Sequence, residues 1–324
     1  MLPTYLMSYP GPTWHIRGGE NFRSKEREPT NPRAALNEWL GLCDAITRAG
    51  GRILVMPPPS SGPAMTGLIY TANAGMLFKT GDEWTFMLSK MSVAHRQAER
   101  EHVRAFLREA GLPVIDAQHA WEGQADVATL KGNRFILTWG VRSVRESLAE
   151  VRAHLPMGAR VMEAQIRDPF FHGDTCLDPV MTRSGDQLLL AHGGALVGTG
   201  LPEMRTFLGQ YGEVLAVDED DALLYACNSL CVNGTLLAPG GLSASLRGTL
   251  VRRGIPVEEV NLPELFGKGG GGPRCLVNEL RGFVLTDDAP SYVSRRDALH
   301  ALAETYPESA QPPPEKSDKS EKAT

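Results

Sequence analysis

A chain of 324 residues, 42% apolar and 22% charged, has a globular balance and enough length for a substantial core, in one large domain or two average ones. The formal net charge is -5 and the 33 Lys and Arg are spread along the chain, which argues against nucleic acid as a partner. No apolar run approaches the roughly 20 residues that cross a bilayer, and no secretory-type signal is read at the start, so neither membrane nor export is expected.

Residues 1–31 are rich in Gly, Pro and charge and read as an irregular N-terminal segment. From Pro32 to Ala49, Ala35, Leu36, Trp39, Leu40, Cys43 and Ile46 recur at helical spacing. Gly50-Gly51 stops that helix, Arg52–Met56 is a strand candidate, and Pro57 to Pro59 force an extended loop. Leu68 to Gly75 reads as an apolar strand interrupted by the amide of Asn73. The helix–break–strand order then recurs: a helix over Ala94–Ala110 and a strand at Val114-Ile115, Ser143–His154 and Arg160–Gln165, Pro202–Tyr211 and Glu213–Val217, Leu242–Arg253 and Val257–Val260. Five weakly similar units of roughly 45 to 60 residues are too large for a simple solenoid and too irregular for a strand–helix barrel. They suit one closed domain over 32–306 with strands inside and helices outside. Residues 307–324 are rich in Pro, Glu, Lys and Ser and are expected to be a disordered tail.

Four segments carry candidate chemistry. In Gly269-Gly270-Gly271-Gly272-Pro273-Arg274-Cys275, the glycines allow a close approach of backbone to a ligand, and Cys275 follows directly. Taken alone, it is either a nucleophile beside that loop or a buried thiol opening a strand at Leu276-Val277. In His172-Gly173-Asp174, two side chains on an extended segment face one way, a general acid/base beside a cation-holding carboxylate, or simply a surface loop. Glu122-Gly123-Gln124-Ala125-Asp126 offers two carboxylates on a turn, or a polar loop between strands. Asn73 is either a hydrogen-bonding hub or a ligand contact, because a buried amide needs partners. Together they meet the needs of a thiol attacking a planar guanidinium. Carboxylates or amides grip the nitrogens, and a His serves the leaving amine and then the water. The other cysteines, Cys43, Cys176, Cys227 and Cys231, read as structural, with no second pair at zinc spacing. An odd number of cysteines at irregular spacing points to reduced thiols and a cytoplasmic protein.

The order Tyr70-Thr71-Ala72-Asn73, Glu122-Gly123 to Asp126, His172 to Asp174, then Gly-rich to Cys275 resembles the pentein superfamily, over about Pro32 to Leu285. That superfamily includes arginine deiminases, dimethylarginine dimethylaminohydrolases, amidinotransferases and arginine dihydrolases. The resemblance implies an α/β fold, a five-bladed α/β propeller of ββαβ units with pseudo-fivefold symmetry around a central channel. By the same resemblance Cys275 matches the nucleophile, His172 the general acid/base and Glu122 the carboxylate that orients His172 and contacts the guanidinium. Asp174 matches a guanidinium-gripping carboxylate, Asp126 a substrate-side acid, and Arg142 the arginine that pairs the substrate carboxylate.

Thr-Ala-Asn-Ala-Gly is similar to the arginine dihydrolase branch, which takes arginine to ornithine, ammonia and carbon dioxide; typical deiminases carry Thr-Arg-Asp. Two features depart from that branch. Asn21 stands in for the asparagine of its N-terminal pattern among different neighbours, and its Ser-Arg pair appears as Ser89-Lys90. The expected partner is a small guanidino compound, a homo-oligomer is left open, and the scheme requires no metal or organic cofactor. A dimethylarginine dimethylaminohydrolase, an amidinotransferase and a non-catalytic binding pentein are the alternatives.

Overall fold

The structure is a computed structural model that describes residues 2–17, 21–24, 29–62, 64–284 and 289–310. In chain order its first elements are β1 Thr4–Ser8, α1 Pro32–Arg48 and β2 Arg52–Met56. Next come β3 Gly75–Thr80, β4 Glu83–Leu88, α2 Glu99–Glu109 and β5 Val114–Asp116. The third group is β6 Val127–Leu130, β7 Arg134–Trp139, α3 Ser147–His154 and β8 Arg160–Ile166. The fourth is β9 Leu177–Met181, β10 Gln187–Ala191, the short β11 Leu196–Val197, α4 Leu201–Leu208 and β12 Glu213–Ala216. After α5 Glu219–Leu223 follow β13 Leu230–Val232, β14 Thr235–Pro239, α6 Ala244–Arg252 and β15 Val257–Val260, then β16 Asn278–Glu279 and α7 Tyr292–Glu304.

The strands form five small sheets, and one pattern runs through them. An antiparallel hairpin is followed by a helix, and the returning strand lies parallel to the hairpin's second strand, as in β3-β4-β5, β6-β7-β8, β9-β10-β12 and β13-β14-β15. Parallel neighbours need a crossover, and the helix supplies it. The fifth sheet is assembled from both halves of the chain: β16 pairs antiparallel with β1, and β1 pairs parallel with β2 across α1. The N-terminal segment is therefore not irregular throughout. Its β1 is buried along its whole length and forms the middle of a sheet. The expectation failed because β1 is short and lies among Pro- and Gly-rich neighbours, and its partners are distant in sequence.

Helix boundaries follow local chemistry. Asn31 caps α1 by accepting from the Ala34 N–H, Pro32 occupies the first turn, and the periodic apolar face with Trp39 at its centre is buried. The expected helices over 94–110 and 143–154 begin later, at Glu99 and Ser147. Ala94–Arg96 is instead a 3₁₀ turn that sends the Arg96 side chain inward, and the Ser143 hydroxyl is engaged by Asp126 and by the Glu122 N–H. The tail also departs from expectation at its start: Ala310 exchanges backbone hydrogen bonds with Thr30, and the Pro307 carbonyl accepts from Arg33. The remainder of that tail lies outside the described residues.

A short turn precedes one edge strand of every sheet, β3, β6, β9, β13 and β16 in turn: Thr71–Ala74, Gly123–Asp126, Gly173–Thr175, Ala226–Asn228 and residues 273–276. These turns replace the strand expected over Leu68–Gly75, the extended His172–Asp174 segment and the strand at Leu276-Val277. They are joined in order by hydrogen bonds. Asn73 Nδ2 donates to the Glu122 carbonyl, the Gly173 N–H to Asp126 Oδ1, and Asn228 Nδ2 to the Asp174 carbonyl. The Cys275 N–H donates to Asn228 Oδ1, and the Ala72 N–H to the Cys275 carbonyl, closing the ring.

Candidate active site

The ring of turns puts side chains from distant parts of the chain into one pocket. Asn21, Tyr70, Asn73, Arg96, Arg142, Phe171, His172, Gly269 to Gly271 and Cys275 line it. The free space is about 30 Å³, on the order of a single water. Of the predicted site residues, Cys275, His172, Asn73, Arg142 and Asn21 thus meet directly.

His172 Nε2 lies 2.8 Å from Glu122 Oε2, and both side chains are buried. The second Glu122 oxygen accepts from the Ser92 hydroxyl at 2.6 Å and the Ser92 N–H at 3.1 Å. Both Glu122 oxygens are thus engaged by protein groups, one of them by the imidazole. Burial acts upward on the Glu122 carboxyl. The His172 hydrogen bond and the charges of His172, Arg96 and Arg142 outweigh it and hold the group well below the usual range. On His172 burial favours the neutral ring, but the Glu122 hydrogen bond and the charges of Asp126, Glu122 and Asp174 raise its pKa. His172 Nδ1 has no hydrogen-bond partner among the described residues.

The Cys275 thiol is 3% exposed and its Sγ lies 3.8 Å from Asp174 Oδ2. Burial, followed by the charge of Asp174, pushes the thiol pKa well up, against the Asn228 hydrogen bond and Arg274. Asp174 is pushed up to about 6 by burial, against His172 and Arg274, and its Oδ1 has no partner among the described residues. A buried carboxylate with an unmatched oxygen beside a thiol offers a place for a cation.

Asp126, like Asp174 and Glu122, stands behind the residues that line the pocket. Its oxygens accept from Thr138, the Gly173 N–H and Ser143, so it ties two turns together. Asn73 is held from both ends, donating to the Glu122 carbonyl and accepting from Arg96 Nη1 at 3.1 Å. Asn21 donates to the Gly269 carbonyl, and its side-chain oxygen accepts from the Arg23 and Ser24 N–H groups, which sets it over the glycine run. The glycines pack against protein: a Cβ on Gly271 would stand 2.2 Å from the Tyr70 ring, and one on Gly270 2.4 Å from Asn21. Arg142 is within 3.8 Å of Glu122 and over the Phe171 ring.

Three contributors escaped the sequence reading. Arg96, buried and paired with Glu99 at 2.9 Å, brings a guanidinium to the pocket where Lys90 instead turns outward to the Gln118 carbonyl. Inside a charged stretch it reads as the outer face of a helix, so composition gives no signal. Ser92 is equally silent. Asn228 had one: it occupies the turn before β13 as Asn73 does before β3, visible once the five turns are aligned.

No protein-family model matches the chain. An uncharacterized protein of Caenorhabditis elegans is 26% identical over 248 residues, 76% of this chain and 83% of the relative. Among solved structures, the N-terminal domain of ArgZ is an arginine dihydrolase from the ornithine–ammonia cycle in cyanobacteria, solved bound to product. It superposes with a TM-score of 0.75 at 23% identity over 86% of this chain and 98% of that one. Unliganded AgrE gives 0.74 at 23% identity over 89% of this chain and 40% of its own. A dimethylarginine dimethylaminohydrolase, as an adduct with S-methyl-L-thiocitrulline, gives 0.66 at 17% identity over 86% and 100%. The chain shares its mixed α/β fold with these penteins, as the sequence resemblance implies.

Proposed function

We propose that this protein is a guanidino-group hydrolase that works through a covalent intermediate on Cys275, most closely of the arginine dihydrolase or deiminase kind. The observation that carries this reading is the single pocket where Cys275 and His172 meet, with Glu122 locked onto the far side of the imidazole. The five sheets would be the blades of one catalytic α/β propeller, with the ring of turns around its axis.

In the proposed reaction a guanidinium settles against Asp174 and Asn73. Its charge offsets the burial that keeps the Cys275 proton in place, so the thiol passes that proton to His172 and attacks the central carbon. His172 is kept basic by Glu122 and returns the proton to the departing nitrogen. Ammonia leaves, and an amidino thioether remains on Cys275. His172 then takes a proton from water as the water attacks the same carbon; the C–S bond breaks, the thiol is restored and a ureido product forms. A second hydrolysis of that ureido group would give ornithine, ammonia and carbon dioxide. Arg142 and Arg96 are the cations of the pocket lining that would face the amino-acid end of the substrate. The five free cysteines support a reducing, cytoplasmic setting.

The test is mass spectrometry of products after incubation with L-arginine, agmatine and methylated arginines. Ornithine or citrulline from arginine is expected. Dimethylamine from dimethylarginine would move the assignment to dimethylarginine dimethylaminohydrolase, and conversion only with an acceptor amine to an amidinotransferase. No turnover of any guanidino compound would overturn the hydrolase reading in favour of a binding protein. Cys275→Ala should abolish ammonia release with an unchanged melting temperature, and His172→Gly should abolish it as well, because the Cys275 proton then has no acceptor and the departing nitrogen no donor.

A further inference from the structure

Behind the ring of turns, residues of β3, β6, β9, β13 and β16, one edge strand from each sheet, line a second cavity of about 240 Å³. It shares no lining residue with the Cys275 pocket. Its volume admits several waters or a small organic molecule. The walls are apolar and aromatic, with Met76, Phe78, Trp84 and Phe135 among them.

The polar groups of this cavity are unevenly satisfied. The Arg281 guanidinium donates to Glu279 at 2.8 Å, and Arg274 donates to Gln124 Oε1 at 2.9 Å, so both cations have acceptors. Asp178, on β9, is 3% exposed, lines the cavity, and its Oδ2 has no hydrogen-bond partner among the described residues. Asp178 Oδ2 is the acceptor of this cavity that a bound donor would satisfy. A buried carboxylate left unmatched is costly, and an ammonium among aromatic rings gains from their faces as well. Trp84 already receives one such contact, from Lys79 at 5.5 Å.

We infer that this cavity is a second ligand site, separate from the Cys275 pocket, for a small organic cation whose ammonium pairs with Asp178 and whose apolar body packs on Phe78, Trp84 and Phe135. Glu279 and Gln124 already engage the two arginines of the lining, and Asp178 is left with an unmatched oxygen. The site adjoins the catalytic turns through two residues: Arg274 precedes Cys275, and Gln124 shares the turn of Glu122 and Asp126.

The test is calorimetric titration of the full chain with butylammonium, butyrate and butan-1-ol in turn. Saturable millimolar or tighter binding of butylammonium alone is expected, with a change in Trp84 fluorescence that Trp84→Phe removes. Asp178→Asn should weaken it about ten-fold or more. Absence of butylammonium binding, equal binding of butyrate, or an affinity unchanged by Asp178→Asn would each overturn the inference. The ligand series on the unaltered protein decides the sign of the charge even if Asp178→Asn does not fold. Because the readout is binding, the result is independent of whether the Cys275 pocket turns over a guanidino compound.

Discussion

Asp174 is where function and stability oppose each other most directly. Its carboxyl sits at about 6 in the folded chain, above the ordinary value of 3.8, with burial as the leading cause. A group raised on folding contributes stability that is present below its unfolded pKa and lost as pH rises through its folded one. The folded protein should therefore lose about 3 kcal/mol from this residue between roughly pH 4 and pH 7. Asp174→Asn should remove that loss, so urea midpoints of the variant and the parent diverge in the variant's favour as pH rises over this window. The same variant should lose most of its turnover, because the cation-binding charge is gone. A parallel pH dependence of the two proteins would contradict the assignment. Glu122 acts in the opposite sense: its depressed carboxyl stabilises the fold above the ordinary carboxylate range and loses that contribution as the pH falls.

At the scale of elements, the turns matter more than the strands they precede. Gly123 adopts φ +73°, and a Cβ there would stand 2.7 Å from the Ala72 carbonyl and 2.8 Å from the Gly75 N–H. Gly123→Ala should cost at least about 2 kcal/mol, the left-handed backbone penalty plus the clash with the neighbouring turn. It should lower the urea midpoint without changing the slope and depress activity, because Asn73 rests on the Glu122 carbonyl of the same turn. The helices behave more simply. Trp39, wholly buried on α1, should cost about 3–5 kcal/mol as Trp39→Ala, with little effect on substrate affinity.

At the scale of the molecule, the sheet formed by β16, β1 and β2 joins the two ends of the described chain. β1 is buried and supplies the central strand, so deletion of residues 2–8 should abolish cooperative unfolding and leave a form that binds hydrophobic dyes. A deletion variant that still melts in one sharp transition would show that the other four sheets stand alone. The recurring helix–break–strand order was legible because each outer helix carries a 3.6-residue apolar period and ends at Gly or Pro. The hairpins were not. Their strands are short and buried on both faces, which erases alternation.

The sequence by itself determined the kinds of groups available, their order, and the resemblance built on Asn73, Glu122, His172 and Cys275. Those depend on residue identity and local backbone propensity, which are written position by position. Only the tertiary structure decided how each group is used. It turned Asp126 into a tie between turns, gave both oxygens of Glu122 to His172 and Ser92, and brought Arg96 inward in place of Lys90. Such roles depend on which buried polar atom finds which partner across separations of up to two hundred residues. Neither periodicity nor propensity carries that information; the closing of the ring does.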